Sequence, residues 1–192
     1  MVVRVSDLPT FRYHPDPVAT GSIRADRITC GSCGEERSHR YTLPVLGVNE
    51  VGDLCPWCIA DGSAAERFEV AFNDAVGHHP WYNFHDDEEW PDPPPAYLVV
   101  PDGVVDEICH RTPSFSSWQD LSWLSHCNDA ATYGGRLDAG GLRAMPELER
   151  QVRDELRLSP DKELWVDPEG GLLVHWFRCL HCGTNLALVD AS

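Results

Sequence analysis

Six of the eight cysteines in this chain form three Cys-x-x-Cys pairs, a spacing that suits either metal binding or thiol redox chemistry. The pairs lie in the stretches ITCGSCGEE, LCPWCIA and FRCLHCGTN, at Cys30 and Cys33, Cys55 and Cys58, and Cys179 and Cys182. Glycine directly follows the first and third pairs, which is typical of knuckles, turns whose backbone curls around a metal. Repetition of the spacing favours metal ligation over a disulfide framework.

The first two pairs together contain enough ligands for one complete zinc site. They are separated by 21 residues, one more than the usual spacing in four-cysteine sites. Two chelating pairs supply four thiolates in a tetrahedron, with one sizeable loop to close. The alternative is a thioredoxin-like active dithiol at Cys55 and Cys58, which leaves Cys30 and Cys33 without a role. The sequence therefore favours a zinc site at Cys30, Cys33, Cys55 and Cys58.

The third pair, Cys179 and Cys182, needs two more ligands if it binds zinc. The candidates are Cys109, Cys127, His126 and His175. Cys127 is favoured because Cys109 lies on the aliphatic face of a predicted helix, although a buried core role for Cys127 is an equal alternative. On an ideal helix, His126 would point about 100° away from Cys127, which makes joint ligation awkward but not impossible at a helix end. The sequence thus predicts one to two Zn²⁺ ions per chain, the second bound by Cys179, Cys182 and Cys127.

The elements that must position these cysteines predict an α+β fold. RADRITC and RSHRYTLPV indicate a hairpin bent around the first pair, and GLLVHWFRC and TNLALVD indicate another around the third. Ser63 and Glu66 have the spacing of a capping box, which predicts a helix over about 64–72. A second helix is predicted in PDGVVDEICHRT, with Asp102 as a possible N-terminal cap, and another from Pro146 with Glu149 and Arg153 placed for a surface ion pair.

The stretch SFSSWQDLSWLSHCNDAATYGG predicts one more helix. Its apolar residues Trp118, Leu121, Leu124 and Cys127 recur at threefold spacing, and the pattern stops at Gly134 and Gly135. The predicted organisation is a zinc-ribbon-like β module over residues 1–62. It is followed over 63–192 by a small helical core with an acidic loop at about 73–100 and the C-terminal Cys-x-x-Cys hairpin, all in one compact unit.

The net charge of -16 is concentrated in the middle of the chain, where residues 61–140 contain three Arg against fifteen Asp and Glu. A field of that sign repels phosphate backbones, so the sequence disfavours nucleic acid as a partner, and a protein partner would be a basic one. The alternative that the charge only keeps the protein soluble is favoured over any specific basic partner. No apolar run reaches the roughly 20 residues of a membrane helix, and the N-terminal stretch lacks the apolar core of a signal peptide. We therefore expect a cytoplasmic protein.

Recognised catalytic patterns are missing from the sequence: it has no Gly-rich phosphate loop, nucleophile elbow or His-Glu-x-x-His helix. This favours a zinc-stabilised binding or adaptor protein acting through protein-protein contacts. The alternative is a thiol-disulfide oxidoreductase or metal-dependent enzyme that uses Cys55 and Cys58.

Four long stretches resemble a known bacterial family. They are LPTFRYHPDPVATGSI, LCPWCIADGSAAERF, RTPSFSSWQDLSWLSHCNDAATYGG and FRCLHCG, which run in order through almost the whole chain. Together they are similar to the CbrC family, which is linked by name to colicin tolerance. The resemblance implies a bacterial cytosolic protein and no particular biochemical activity.

Overall fold

The computed structural model describes residues 8–76, 100–118, 122–159, 161–167 and 171–191. Within them the chain has the mixed α+β character that the sequence predicts, with small sheets and short helices. The helices are α1 (Pro56–Ala60), α2 (Ser63–Phe68), α3 (Asp102–Arg111), α4 (Ala139–Arg143) and α5 (Pro146–Glu155). The strands are β1 (Ile23–Thr29), β2 (Glu36–Tyr41), β3 (Ala75–Val76), β4 (Ser122–Trp123), β5 (Ser125–His126), β6 (Asp129–Ala130), β7 (Thr132–Leu137), β8 (Leu172–Arg178) and β9 (Asn185–Ala191).

Both predicted hairpins are present. β1 pairs antiparallel with β2 around the first Cys pair, and β8 pairs antiparallel with β9 around the third. The β1–β2 hairpin packs on α1 and α2 through a core that contains Ile23, Ile59 and Phe72. Tyr41 meets Phe72 edge to face, with ring centroids 5.3 Å apart, which ties the hairpin to the chain beyond α2.

A three-stranded antiparallel sheet in the order β7-β8-β9 organises the C-terminal half. One part of its core is aromatic and contains Phe115, Trp123, Tyr133 and Phe177, each almost fully buried. A second part buries Leu148 and Val152 of α5 against Val174 and its neighbours. This sheet, rather than a helical core, is the centre of the half, which corrects that part of the predicted architecture.

Helix α5 begins at Pro146, as predicted, and α3 forms where its apolar stripe predicts a helix. Asp102 is not the cap of α3: Pro101 is the N-terminal cap residue and Asp102 is the first residue of the helix. The predicted surface pair in α5 is also present, since a guanidinium nitrogen of Arg153 lies 2.9 Å from a carboxylate oxygen of Glu149. These helices were predictable because their signals are local: a residue that favours the start and an apolar stripe at helical spacing.

The helix predicted over SFSSWQDLSWLSHCNDAATYGG is wrong for the residues the structure describes. From residue 122 onward this stretch forms β4, β5, β6 and β7. Gly134 and Gly135 do not end a helix. They lie at a register shift between β7 and β8, a bulge, where Gly135 adopts φ +112°. The threefold apolar spacing was misleading because short strands joined by tight turns can show the same spacing, and here the burial of Trp123 and Leu124 comes from contacts with distant segments.

The predicted helix over 64–72 is shorter than expected. α2 ends at Phe68, because Glu69 adopts the left-handed conformation with φ +52° and turns the chain out of the helix. Beyond it, Ala71 forms a β-bridge with Leu46. Ser63 does not cap the helix either: its hydroxyl donates to Asp61, and Gly62 is the N-terminal cap residue.

The predicted division at residue 62 stays a prediction, and the acidic loop falls mostly at residues 77–99, outside the described part of the chain. Among the described helices, the longest span ten residues, and none is long and apolar enough to cross a membrane.

The bulge at Gly134 generates a stability prediction. A Cβ at this position would overlap the indole ring of Trp176, whose Nε1 is held by Asn185 at 2.9 Å. We expect Gly134→Ala to lower the free energy of unfolding by about 1–3 kcal/mol, because overpacking forces the ring or the strand to shift. The control is Gly103→Ala in α3, where the added Cβ meets nothing within 4 Å and should leave stability unchanged or raise it by up to about 1 kcal/mol. Urea denaturation of both variants measures the difference, and equal stability would contradict the expected overlap.

Candidate metal centres

The first candidate centre brings together the four cysteines of the first two pairs. Each of Cys30, Cys33, Cys55 and Cys58 offers an Sγ atom, and the four atoms lie within 4.8 Å of one another. Cys30 follows β1 and Cys33 lies in the turn before β2. Cys55 is the N-terminal cap residue of α1 and Cys58 lies inside that helix. The set is the one that the spacing of the sequence predicts.

Backbone hydrogen bonds bring the second pair to the first. Gly31 N–H donates to the carbonyl of Asp53 at 2.8 Å, and Tyr41 N–H donates to that of Leu54 at 2.8 Å. The chain before α1 is therefore fastened to both the knuckle and β2, so Cys55 arrives beside Cys30. Its N–H then donates to the Cys30 sulfur at 3.4 Å.

The second candidate centre contains His126, Cys127, Cys179 and Cys182, whose ligand atoms also lie within 4.8 Å of one another. Cys127 joins the third pair, as favoured from the sequence. It lies in the turn between β5 and β6, however, and not on the predicted helix. His126 was a candidate in the sequence, but less favoured than Cys127. Its Nδ1 lies 3.2 Å from the Cys127 sulfur and 3.3 Å from the Cys182 sulfur.

The remaining candidates from the sequence lie elsewhere in the fold. Cys109 is buried on α3, as expected for a structural thiol, and burial raises its pKa. His175 is fully buried in β8, where its Nδ1 lies 3.0 Å from the Tyr133 hydroxyl. Neither belongs to the clusters found among the described residues.

A two-residue turn explains how adjacent residues enter one cluster. β5 and β6 pair with His126 opposite Asp129, so Cys127 and Asn128 form the whole connection. Both adopt positive φ, +55° and +59°, as a type I′ hairpin turn requires. The tight reversal turns both side chains towards the third pair, which a helix would not do. The signal was Asn128 at a turn between two short stretches that could form strands.

The two knuckles share one backbone design. In the first, Gly34 N–H donates to the carbonyl of Cys30, and Cys30 N–H donates to that of Glu35. In the second, Gly183 and Cys179 make the matching bonds, the latter to the carbonyl of Thr184. Both glycines have φ +74°, a conformation that a side chain would strain. The glycine after each pair is therefore required by the turn itself.

The distances fit tetrahedral metal coordination. Zinc bound to four sulfurs at about 2.3 Å places those sulfurs about 3.8 Å apart. The Cys30 and Cys58 sulfurs are 3.9 Å apart, and those of Cys127 and Cys182 are 3.8 Å apart. A nitrogen ligand at about 2.0–2.1 Å would lie about 3.6 Å from a sulfur ligand, a few tenths of an ångström more than the contacts of His126. Both donor sets are therefore suitable for a metal ion.

Ionisation of the crowded thiols is uneven. Burial raises the pKa of Cys55 and Cys58. Burial also opposes ionisation of Cys33, but hydrogen bonds from the Glu35 backbone and the Arg37 side chain outweigh it and lower its pKa to about 7. In the second cluster, hydrogen bonds from Thr184 lower the pKa of Cys182 to about 6, whereas the hydrogen bond with Cys182 raises that of Cys127 to about 11. This split is expected where ionisation of one thiol opposes that of the next, and a cation removes the opposition.

A buried carboxylate supports the second cluster from outside. Asp129 accepts hydrogen bonds from Tyr13 and Arg12, each at 2.7 Å, and lies 2.9 Å from Nε2 of His181. Burial opposes its ionisation, but these hydrogen bonds and the charge of Arg12 lower the pKa of Asp129. Since Asp129 lies opposite His126 in the hairpin, the network links the turn to the knuckle and to the N-terminal segment. Nothing in the sequence indicated this link across more than 100 residues.

The two clusters differ in exposure. In the first, Cys30, Cys55 and Cys58 are buried and only Cys33 is exposed. In the second, only Cys179 is buried, while Cys127 and Cys182 are exposed. A cleft of about 730 Å³ also adjoins the second cluster and is lined by Cys179, His181 and Cys182 among others. Solvent therefore reaches the second cluster much more easily than the first.

Asn128 provides a test of the turn that presents His126 and Cys127. We expect Asn128→Ala to lower the free energy of unfolding by about 1 kcal/mol and to weaken metal retention at the second cluster, because alanine disfavours positive φ. Asn128→Gly is the matched control and should retain both properties, since glycine adopts this conformation freely. Thermal denaturation and metal transfer to a competing chelator measure the effects. An alanine variant equal to the glycine variant would contradict the assigned turn.

Comparison with known proteins places the whole described chain in one family. The model of an uncharacterised protein family, UPF0167, matches residues 8–191. UPF0167 proteins of Mycobacterium bovis and Mycobacterium tuberculosis are each 42% identical over 191 residues, covering 95% of this chain and 93% of the relative. A UPF0167 protein of Pseudomonas aeruginosa is 39% identical over 184 residues, covering 92% and 93%. No solved structure matches the chain significantly. In each comparison the similarity extends over almost the full length of this chain and of its relative, and the chain therefore belongs to the UPF0167 family.

Proposed function

We propose that this protein binds one Zn²⁺ ion in each of its two clusters and acts through contacts with another protein. The observation that carries the metal proposal is the pair of complete donor sets, one of four sulfurs and one of three sulfurs and an imidazole nitrogen. Tetrahedral sets rich in thiolate suit zinc, which has no geometric preference of its own and accepts both sulfur and nitrogen. Cys30, Cys33, Cys55 and Cys58 would hold the first ion, and His126, Cys127, Cys179 and Cys182 the second.

The environment of the first cluster supports a structural role for its metal. All of its cysteines except the exposed Cys33 belong to the same core cluster as Ile23, Ile59 and Phe72, so these donors and the apolar side chains pack as one unit. A bound cation would let the buried thiols ionise, which burial alone opposes. Metal binding and folding of this part of the chain would therefore be coupled.

The alternative of a dithiol oxidoreductase receives less support. A catalytic Cys-x-x-Cys needs an accessible thiol of low pKa, which attacks the substrate disulfide. Cys55 is fully buried, burial raises its pKa, and its sulfur lies among three other cysteine sulfurs. These features favour ligation over nucleophilic attack.

The second part of the proposal is contact with another protein. Trp118 and Trp165 are 63% and 74% exposed, and tryptophan is enriched in protein interfaces. A cleft of about 530 Å³ lies between α2 and α3, with Asp61, Glu66 and Glu69 in its lining. Asp106 also lines it but is paired with His110 and Arg111. The cleft therefore has unbalanced negative charge, which suits a basic side chain of a partner.

The free cysteines support a compartment for the protein, and the family connects it to the resemblance found in the sequence. All eight cysteines are free, which fits a compartment that keeps thiols reduced, such as the bacterial cytoplasm. We infer that the UPF0167 family is the one the sequence resembles under the name CbrC. Its link by name to colicin tolerance stays a prediction.

The metal proposal predicts two zinc ions per chain in protein purified without chelator. Elemental analysis measures the content. Absorption at the zinc edge should give an average of about 3.5 sulfur and 0.5 nitrogen ligands, because seven sulfurs and one nitrogen are shared between two ions. Cys30→Ser should remove one ion and unfold the N-terminal part, since structural zinc contributes on the order of 10 kcal/mol in small modules. Cys182→Ser should remove the other ion.

Cys109→Ala is the control for these substitutions, because Cys109 is buried outside both clusters. It should retain both ions. Freshly purified, reduced protein without metal would refute the proposal, and visible absorption from iron in place of zinc would refute the assignment of the ion.

The partner proposal predicts salt-sensitive capture of a basic protein. Affinity purification from the source bacterium at low and moderate salt should recover it, and exposed charges should each contribute roughly 1 kcal/mol or less. The double variant Glu66→Gln and Glu69→Gln removes two charges from the cleft and should weaken capture. Glu147→Gln with Asp154→Asn removes two exposed charges from α5 and should not. Equal loss of capture in both double variants would indicate only a general charge effect. Catalytic turnover in an insulin-reduction assay, if Cys55→Ser abolishes it, would instead favour the oxidoreductase.

A further inference from the structure

We propose that Cys127 and Cys182 form an oxidant-reactive pair that hydrogen peroxide converts into a disulfide, emptying the second cluster while the first keeps its ion. The inference rests on the proposed metal binding and assigns the two centres different tasks. The first holds the fold, and the second responds to oxidants.

Only the second cluster offers an exposed pair of neighbouring thiols among the described residues. The sulfurs of Cys127 and Cys182 are 3.8 Å apart, and both residues are exposed. In the first cluster the comparable sulfurs, those of Cys30 and Cys58, are 3.9 Å apart, but both residues are buried. A peroxide molecule could reach Cys33 there, but the cysteines whose sulfurs would have to approach it to form a disulfide are buried and packed into the N-terminal core.

The hairpin tip that carries Cys127 is short and exposed, whereas the element that carries Cys55 and Cys58 is packed into a core. A disulfide needs a sulfur separation of about 2.05 Å, so the two sulfurs must approach by roughly 1.8 Å. Cys127 lies at the tip of a hairpin whose strands have two residues each, and its positive φ is a conformation that most residues disfavour. Cys58, by contrast, lies in α1 with Ile59, which is packed into the N-terminal core.

The chemistry balances with hydrogen peroxide as the only oxidant. One thiolate attacks a peroxide oxygen, the O–O bond breaks, hydroxide leaves and the sulfur becomes a sulfenic acid. The second thiolate attacks that sulfur, an S–S bond forms, the S–O bond breaks and a second hydroxide leaves. Each sulfur loses one electron and the peroxide gains two. The hydroxides take two protons from solvent and become water.

Loss of two thiolates removes half of the donors of the second cluster. His126 and Cys179 remain, which is too few for a stable tetrahedral site. The same hairpin holds Asp129, which binds Arg12 and Tyr13 of the N-terminal segment. Oxidation would therefore loosen the region where the N-terminal segment meets the C-terminal knuckle, and a thiol reductant with zinc would restore it.

The experiment uses the full chain, purified without chelator and freed of reductant. Hydrogen peroxide is added, released zinc is followed with a chromogenic chelator, and disulfides are mapped by mass spectrometry without reduction. We expect release of one of two ions, a single Cys127–Cys182 disulfide, and reversal by dithiothreitol with added zinc. Release of both ions together, or a disulfide between other cysteines, or no disulfide, would overturn the inference.

Two variants sharpen the result. Cys182→His replaces one thiol by another zinc ligand, so a zinc-loaded variant should lose its second ion at least tenfold more slowly. Cys109→Ala should behave as the wild type. This result would exclude Cys109, the buried thiol outside both clusters, as a disulfide partner. If Cys182→His does not retain zinc, the disulfide map of the wild-type protein alone decides whether Cys127 and Cys182 pair. Protein without metal at the start refutes the proposed function, while the disulfide map still decides whether Cys127 and Cys182 pair.

Discussion

Repulsion between crowded thiolates is the constraint on which both ends of this fold depend. Four ligand atoms lie within 4.8 Å of one another in each cluster, and thiols so close cannot all ionise without a cation. The backbone supplies part of the compensation, since N–H groups of Cys55 and His181 donate to the sulfurs of Cys30 and Cys179. A metal ion bound as proposed would supply the rest, and the surrounding packing would then depend on it.

Both centres use the same knuckle turn for two of their ligands, but different elements supply the other two. Each knuckle places two cysteines on a curled backbone that a glycine at φ +74° closes. In the first, the missing ligands come from α1, whose residues pack into a core. In the second, they come from the tip of a short hairpin at the surface. Because a helix in a core excludes solvent and a hairpin tip does not, the two centres differ in accessibility as well as in one donor, a cysteine sulfur in the first and a histidine nitrogen in the second.

The parts of the structure that tie these centres together are polar and far apart in the chain. Asp129 gathers Arg12, Tyr13 and His181 around one buried carboxylate. A buried charge of this kind is stable only when several donors surround it, so the three partners and the hairpin must stay in register. The N-terminal segment is thereby connected to the second knuckle and not only to the first.

Local patterns in the sequence were sufficient for the hairpins around the Cys pairs, for α3 and α5, and for the four cysteines of the first cluster. Each of these depends on spacing and turn chemistry within a few tens of residues. The strands over 122–137 were not predictable in this way, because Trp123, Leu124 and Cys127 have a spacing that also fits a helix. Packing against β8 and Phe115 decided in favour of strands, and the turn at Cys127 and Asn128 then brought His126 to a cysteine 56 residues away. By itself, the sequence thus determined which residues could bind metal at the first centre. Only the tertiary structure decided the fourth donor of the second centre and its exposure, because both depend on contacts between distant segments.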